Sequence, residues 1–563
     1  MGRIIIDRFV GNESRVQRES KTNVIAECAI NASLQDGALS AIPCPVEVCD
    51  PSQEFSQFYY DDDCGCSVFS GNAWHEIYQC RHYLVDGDGA RSYSEEDFCD
   101  RANPCNLGMP APTQPPSVSA GVTGGSGFEP RNYMYTFVSR RGSDCVVESP
   151  PSPVSRTANC ADTAFVSNIQ NAPAGWCITH VRLYRFDAGW KSGSESRVEN
   201  NSGALMVAEL PIGTTSHNDT ASISGSEMLG LITYDMESMP HNPVGIGATA
   251  FSTFSWSGKE LYISVDGMPE LRRKNGRFCF DHNILNAQYW NNSIYVFTER
   301  YNYRIDESGS EGGVSYSNPP FRFEKLLPLC SIKSISVGAL GVFYHTKSGI
   351  SVLDGNSQIV VSTGILNTTQ WKTYTSKNIG TFVYQQYLFI FSDDWEYTHL
   401  YEFEDGVFGD SESSNHTIYP YKISSMRITD DGCLQFASNN IVYEFIETNN
   451  CPTFCFDEVA KPICTECCEY DYRISVKQDA RITDYAMGYL RIDPKYSDVT
   501  FRLWDRSCGE HIVYEETFSG CGEHQFRLPA GCLSDDHFIQ LTGCATVYEL
   551  RLGTSAKELG LNS

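Results

Sequence analysis

The chain has 563 residues, 41% hydrophobic and 12% aromatic, which is more than one core can organise and too apolar for disorder to be the default. Its 70 acidic residues outnumber 42 basic ones for a formal net charge of −28. That excludes tight nucleic-acid binding by phosphate neutralisation, but not the enclosure of nucleic acid by a repelling wall. With 31 Tyr, 30 Phe and Gly-rich turns, the composition points to strands, an all-β chain.

In chain order, Ile4 to Gly11 reads as an apolar strand able to pair elsewhere, and Asn23 to Leu39 as a short helical turn ended by Asp36-Gly37. The opening residues are too short for a signal-peptide core and lack a small-residue cleavage site, so assembly in a host cytoplasm is expected. Cys64 to Val85 alternates and is a candidate propeller blade. Pro104, Pro110, Pro112, Pro115 and Pro116 mark a stiff linker. Beyond it, Tyr133 to Ser139, Ile178 to Arg185 and Ala204 to Leu210 are strands, and Glu148 to Ser155 is a Pro-rich bend. Together they predict an inserted β-sandwich of immunoglobulin or fibronectin type III kind over residues 113–232, following an N-terminal segment and first part of a propeller at 1–112.

Residues 233–448 carry a repeat. A polar-to-apolar alternation recurs around Leu261, Ile294, Val342, Leu388 and Leu434, at spacings of 33, 48, 46 and 46 residues by subtraction. Each anchor follows a turn-prone residue or pair: Gly258, Asn291-Asn292, Gly341, Gln385-Gln386 and Asp431-Gly432. A short-strand unit at this period predicts propeller blades, which must stack because one blade cannot bury both its faces. From 449 to 563 a further run of strands predicts a C-terminal Cys-rich β-sandwich. The fold class expected is therefore all-β: a β-propeller body, an inserted fibronectin III/Ig-like sandwich and a terminal sandwich. No run approaches the eighteen apolar residues of a membrane span.

The 23 cysteines cluster at the two ends of the chain, and an odd total leaves at least one unpaired. Without an export signal, mostly reduced thiols are expected at assembly, with some oxidising after release from the cell. Cys451, Cys455, Cys464 and Cys467 have spacings within range for a thiolate zinc site, the one metal candidate. A disulfide-stapled or thiol-rich loop fits the same residues. No nucleophile elbow, Walker loop, zinc helix or EF-hand loop is present. The acid pairs Asp393-Asp394 and Asp535-Asp536 read as solvated turns rather than catalytic carboxylates, and no enzyme and no cofactor is expected. Trp190 and Trp395 are candidates for stacking on sugars, which keeps open a carbohydrate- or receptor-binding propeller module of a virion or cell surface.

Four stretches carry a family likeness. Leu205 to Thr220, followed by Tyr234-Asp235 and by Trp256 to Ser264, resembles the end of the fibronectin-like insert and the first propeller strand of bacteriophage tail nozzle (tail tubular or hub) proteins of short-tailed phages. Ile5 to Gly11 with Ala26, Asn31, Leu34, Gly37, Leu39 and Pro43 resembles that family's opening, and Tyr135 to Ser139 with Glu148 to Pro153 its insert. Ala545 to Leu559 resembles its ending. The chain departs in its cysteine load and in having Val265-Asp266-Gly267 after the strand. The resemblance implies a structural virion protein forming a homo-oligomeric ring, a hexamer, at the distal end of a tail. Its implied partners are a portal-adaptor ring or upper tail proteins, tail fibres, spikes or a gate protein, and genomic DNA that passes without sequence-specific binding.

Overall fold

A computed structural model describes residues 4–559 apart from 7–8, 13–24, 35–36, 43–44, 62–64, 70, 72, 80, 121–128, 142–144, 161–162, 187–202, 221–229, 311–312, 324–327, 356, 363–370, 372–378, 403–415, 430–431, 446–468, 477–482, 494–497, 507–508, 520–521, 530–532 and 535–536. The chain is all-β. It divides into two compact units, residues 71–324 and residues 1–70 with 325–563.

The unit of residues 71–324 contains three antiparallel meanders of the kind from which a propeller is built. The first runs Trp74–Ile77, Arg81–Asp86, Gly89–Ser94 and Cys105–Asn106. The second is Gly245–Ala248, Thr253–Ser257, Glu260–Ile263 and Arg277–Cys279. The third is Ile284–Trp290, Ser293–Thr298, Asn302–Ser310 and Phe321–Phe323, with Gly313–Tyr316 also pairing to the long strand. Tyr83 and Val85 of the first share a core with Ile246 of the second, and Trp256 and Leu261 of the second with Ile294 and Val296 of the third. The sheets thus cover one another in sequence order, which is how a strand such as Ser293–Thr298 comes to be buried at every position.

The other unit repeats the plan. Its meanders are Ser336–Gly338 to Ser357–Val360, then Ile379–Tyr384 to His416–Tyr419, then Ile423–Ile428, Leu434–Ser438 and Ile441–Phe445. The fourth strand of the last is Pro45–Cys49, which pairs with Ile441–Phe445. All five repeat anchors are buried at 0–1% exposure. The odd spacing of 33 residues has a simple cause: Leu261 lies on the third strand of its meander, whereas Ile294, Val342, Leu388 and Leu434 lie on the second. The turns are those that right-twisted hairpins require: Asn291 and Asn292 have φ of 46° and 58°, and Asn439 and Asn440 have 51° and 65°.

The C-terminal residues form two sheets around one core. One orders Ile4–Ile6, Thr546–Gly553, Met487–Asp493 and Gly522–Arg527. The other orders Cys28–Ile30, Tyr470–Val476, His537–Gly543, Val499–Asp505 and His511–Phe518. Residues 25–30, expected as a helical turn, are instead the strands Ile25–Ala26 and Cys28–Ile30. The reason is tertiary. Cys28, Ala29 and Ile30 pair with Arg473, Tyr472 and Asp471, and Ile30 also bridges Ile418. Two waiting sheet edges outweigh a weak local helix preference.

Between the first two meanders of residues 71–324 sits the inserted sandwich. Ser117–Ala120, Ala164–Ser167 and Ser216–Asp219 form one sheet. Glu129–Arg141, Cys145–Glu148, His180–Phe186 and Ala204–Pro211 form the other. The Pro-rich bend is explained by its serines. Prolines cannot donate to a ladder, yet Ser149, Ser152 and Ser155 each give a backbone N–H to the carbonyls of Phe137, Tyr135 and Tyr133, at 2.9, 2.8 and 2.8 Å. Each serine Oγ then accepts the return N–H from the same strand residue, at 2.9, 3.1 and 2.9 Å. A serine at every third position thereby satisfies alternate residues of the strand; each N–H left unpaired there would cost about 1–3 kcal/mol.

The stretch expected as a stiff linker is tied into the fold. Leu107 and Met109 are buried, and Cys105 is disulfide-bonded to Cys177, 72 residues on, with Cα atoms 5.5 Å apart. Gly108 has φ +76°, and a Cβ there would collide with the Met239 carbonyl. Among the described cysteines, Cys99 is disulfide-bonded as well and eight are free thiols. Among the described residues no helix is long and apolar enough to cross a membrane.

Candidate functional site

One cavity, of about 170 Å³, opens where the second and third meanders of residues 71–324 meet. Its floor is made by strand and turn residues that must be small or apolar to pack: Ser252, Ile263, Ser264 and Val265, all buried. Ser264 Oγ is held by the Thr253 N–H at 2.9 Å. The rim comes from Asp266 in the turn after the Glu260–Ile263 strand, Arg273 at the end of the strand Leu271–Arg273, Asn275 in the Gly276 turn, and Asn318. Gly276 closes that turn by accepting the Ile263 N–H at 2.8 Å and donating to the Arg273 carbonyl at 2.9 Å. A Cβ on Gly276 would press on the Ile263 carbonyl, so the close approach requires glycine.

Tyr316 forms a side wall. Its hydroxyl donates to Glu307 Oε1 at 3.3 Å, and the Tyr289 hydroxyl donates to Glu307 Oε2 at 2.6 Å. Burial pushes the Tyr316 phenol up to about 12, so it stays a donor at every physiological pH. The lining therefore offers one carboxylate, one guanidinium, two amides and hydroxyls beside the apolar side chains of Ile263 and Val265, with room for on the order of ten waters. That set can hydrogen-bond a small hydroxyl-rich molecule. Among its described lining residues only Asp266 is acidic, and the two-carboxylate arrangement of glycoside hydrolysis needs a second.

The residues singled out from the sequence do not converge on this cavity. Cys451, Cys455, Cys464 and Cys467 lie outside the described residues, as do Trp190 and Asp535-Asp536. Asp393 is a surface partner of Lys333 at 3.1 Å, and Trp395 stands edge-on to His399 with ring centroids 4.8 Å apart. Among the described residues no group of three or more His, Cys, Asp or Glu is placed to hold a metal ion.

Two histidine pairs do form, which sequence spacing did not suggest. His75 Nε2 and His82 Nδ1 are 3.0 Å apart, and His399 Nδ1 and His416 Nε2 are 2.9 Å apart. Both follow one rule of antiparallel register. His75 faces Leu84 and His399 faces Ile418, and in each case the second histidine lies two residues from that partner, on the same face. Burial, then the His416 ring, pushes His399 down to about 3, and burial pushes His345 down to about 4. Both imidazoles are neutral structural groups at physiological pH.

No family model matches the chain, and no curated protein matches it. Solved structures overlap with it only in part. Kluyveromyces lactis Hsv2p has 11% identity, covers 65% of this chain and 96% of its own, and has a TM-score of 0.25. An exo-β-1,3-galactanase from Phanerochaete chrysosporium, solved with galactose, has 10% identity, covers 55% of this chain and 95% of its own, and has a TM-score of 0.22. Overlaps of that size carry no argument about what this chain does.

Proposed function

We propose that the chain is a structural subunit of a virion, assembled as a ring at the distal end of a short phage tail and continuing the channel through which genome is retained and delivered. The observation that supports this most is the way the chain ends are locked. Ile4–Ile6 completes the sheet of Thr546–Gly553, Cys28–Ile30 joins Tyr470–Val476, and Pro45–Cys49 closes the last meander. Pulling either end free requires breaking ladders to residues more than 380 positions away, a construction suited to a part that holds shape under load. The family likeness of Leu205 to Thr220 supports the same reading, and so does the acid surplus, because a negative wall lets a phosphate backbone slide. Mass photometry of the purified 62.8 kDa chain should show a closed ring near six copies. A persistent monomer at micromolar concentration, with or without the portal-adaptor ring, overturns the reading.

The cavity favours a second reading, a carbohydrate-binding module, because its mixture of polar groups with Ile263 and Val265 suits a sugar. A glycan array should then give binding that falls at least about tenfold in Arg273→Ala, the loss of one charged hydrogen-bonding group. An array blank at millimolar sugar removes this reading and leaves the first untouched.

A further inference from the structure

We propose that Cys49 and Cys66 form an oxidation-dependent disulfide that staples the closing strand of the last meander to the neighbouring hairpin. Cys49 ends Pro45–Cys49 and pairs with Val442. Cys66 lies on Gly65–Phe69 opposite Tyr60 of Gln57–Asp61. The two residues pack against one apolar cluster of Phe58, Ala437 and Val442, and the Cys49 thiol lies close enough to act on the Cys66 proton. Both are half-buried free thiols, reachable by a small oxidant.

The precedent within the chain is the Cys105–Cys177 disulfide. There too a cysteine on the outermost strand of a meander is cross-linked to a separate segment. In the last meander the need is greater, since Pro45–Cys49 is held to Ile441–Phe445 by four paired residues and comes from the far end of the sequence. A bond closing the 17-residue separation from 49 to 66 limits how far that strand can stray when its ladder opens.

The chemistry is thiol–disulfide exchange with a low-molecular-weight disulfide as oxidant. Burial and the adjacent Cys49 sulfur push the Cys66 thiol up to about 12, so Cys66 keeps its proton longer. The Cys49 thiolate attacks one sulfur of the oxidant, forming a mixed disulfide and expelling one small thiolate. The Cys66 sulfur then attacks the Cys49 sulfur and gives up its proton, and the second small thiol leaves. Two protein thiols are oxidised and one disulfide is reduced to two thiols.

The test uses the full chain, purified under reducing conditions and then exposed to oxidised glutathione. Proteolysis without reductant, followed by mass spectrometry, should give a peptide joining Cys49 to Cys66 that dithiothreitol separates. Unfolding of the oxidised chain should shift upward by several degrees relative to the reduced chain, and Cys66→Ser should lose that shift. If Cys66→Ser fails to fold, differential alkylation of the unaltered chain decides: protection of both thiols after oxidation supports the staple. Alkylation of both thiols after oxidation overturns it, as does a linkage of either to a different cysteine.

Discussion

Asp219→Ala should unfold the inserted sandwich while leaving the meanders of residues 325–445 intact. Asp219 is fully buried at the end of Ser216–Asp219. Its Oδ2 accepts from Arg185 Nη1 at 2.7 Å and from the Tyr133 hydroxyl at 2.6 Å. Tyr133 and Arg185 face each other across the opposite sheet, so the carboxylate joins the two layers. Burial, together with the carboxylate, holds the Tyr133 phenol far above its ordinary range, and it remains a donor. Removing one partner of a buried charge pair leaves the other charge in a low-dielectric interior, at a cost of about 3–5 kcal/mol, a large share of what a domain of this size holds in reserve. Hydrogen exchange should show protection lost across Glu129–Arg141 and His180–Phe186. Arg140→Ala, which removes a pair to Glu209 whose arginine is 41% exposed, should change stability by less than about 1 kcal/mol. Equal protection in Asp219→Ala and the unaltered chain would sink the assignment.

Asp219 also shows how far the sequence could be read. It stands inside the Leu205 to Thr220 stretch that marks the family likeness, so its neighbourhood was visible. Its purpose was not, because Tyr133 and Arg185 lie 86 and 34 positions away and no local spacing connects them. The meanders were legible for the opposite reason. Alternation along a strand and the turn that follows are both local, and the anchors Leu261 to Leu434 are all core residues. What the pattern could not supply was strand identity within a meander, hence the one-strand offset at Leu261. The cavity was hidden because Asp266 and Asn318 sit in turns and Arg273 at the end of a three-residue strand, where polar residues are the ordinary expectation.

The N-terminal strands were half legible: the stretch from Ile4 read as a strand able to pair elsewhere, which it is, but not where it pairs. Ile4–Ile6 is only three residues long, too short for periodicity to fix its face, and Cys28–Ile30 looked helical. Each acquires its conformation from an edge formed by residues hundreds of positions later. Local sequence carries no trace of that edge.

This dependence makes Ile6→Asp the sharpest test of the architecture. Ile4 and Ile6 are buried at 1% and 0%, in one core with Leu490, Ile492, Leu550 and Leu552, while Ile5 between them is only partly covered. Ile6 pairs with Leu550 and Ile5 with Arg551. A carboxylate at position 6 would enter an apolar interior with no partner built for it, so the cost should exceed about 4 kcal/mol and detach the strand. Hydrogen exchange should then rise across Met487–Asp493 and Thr546–Gly553, more than 480 positions from the substitution. At position 5 the same carboxylate would face the other side, beside Arg551, and should cost less than about 1 kcal/mol. Because side chains alternate along a strand, the contrast between adjacent positions tests the register as well as the pairing. Equal losses from Ile5→Asp and Ile6→Asp would mean that the strand does not sit in this register. Two silent substitutions would mean that it does not close the terminal sheet at all, and the locked chain ends that support a load-bearing role would lose their first link.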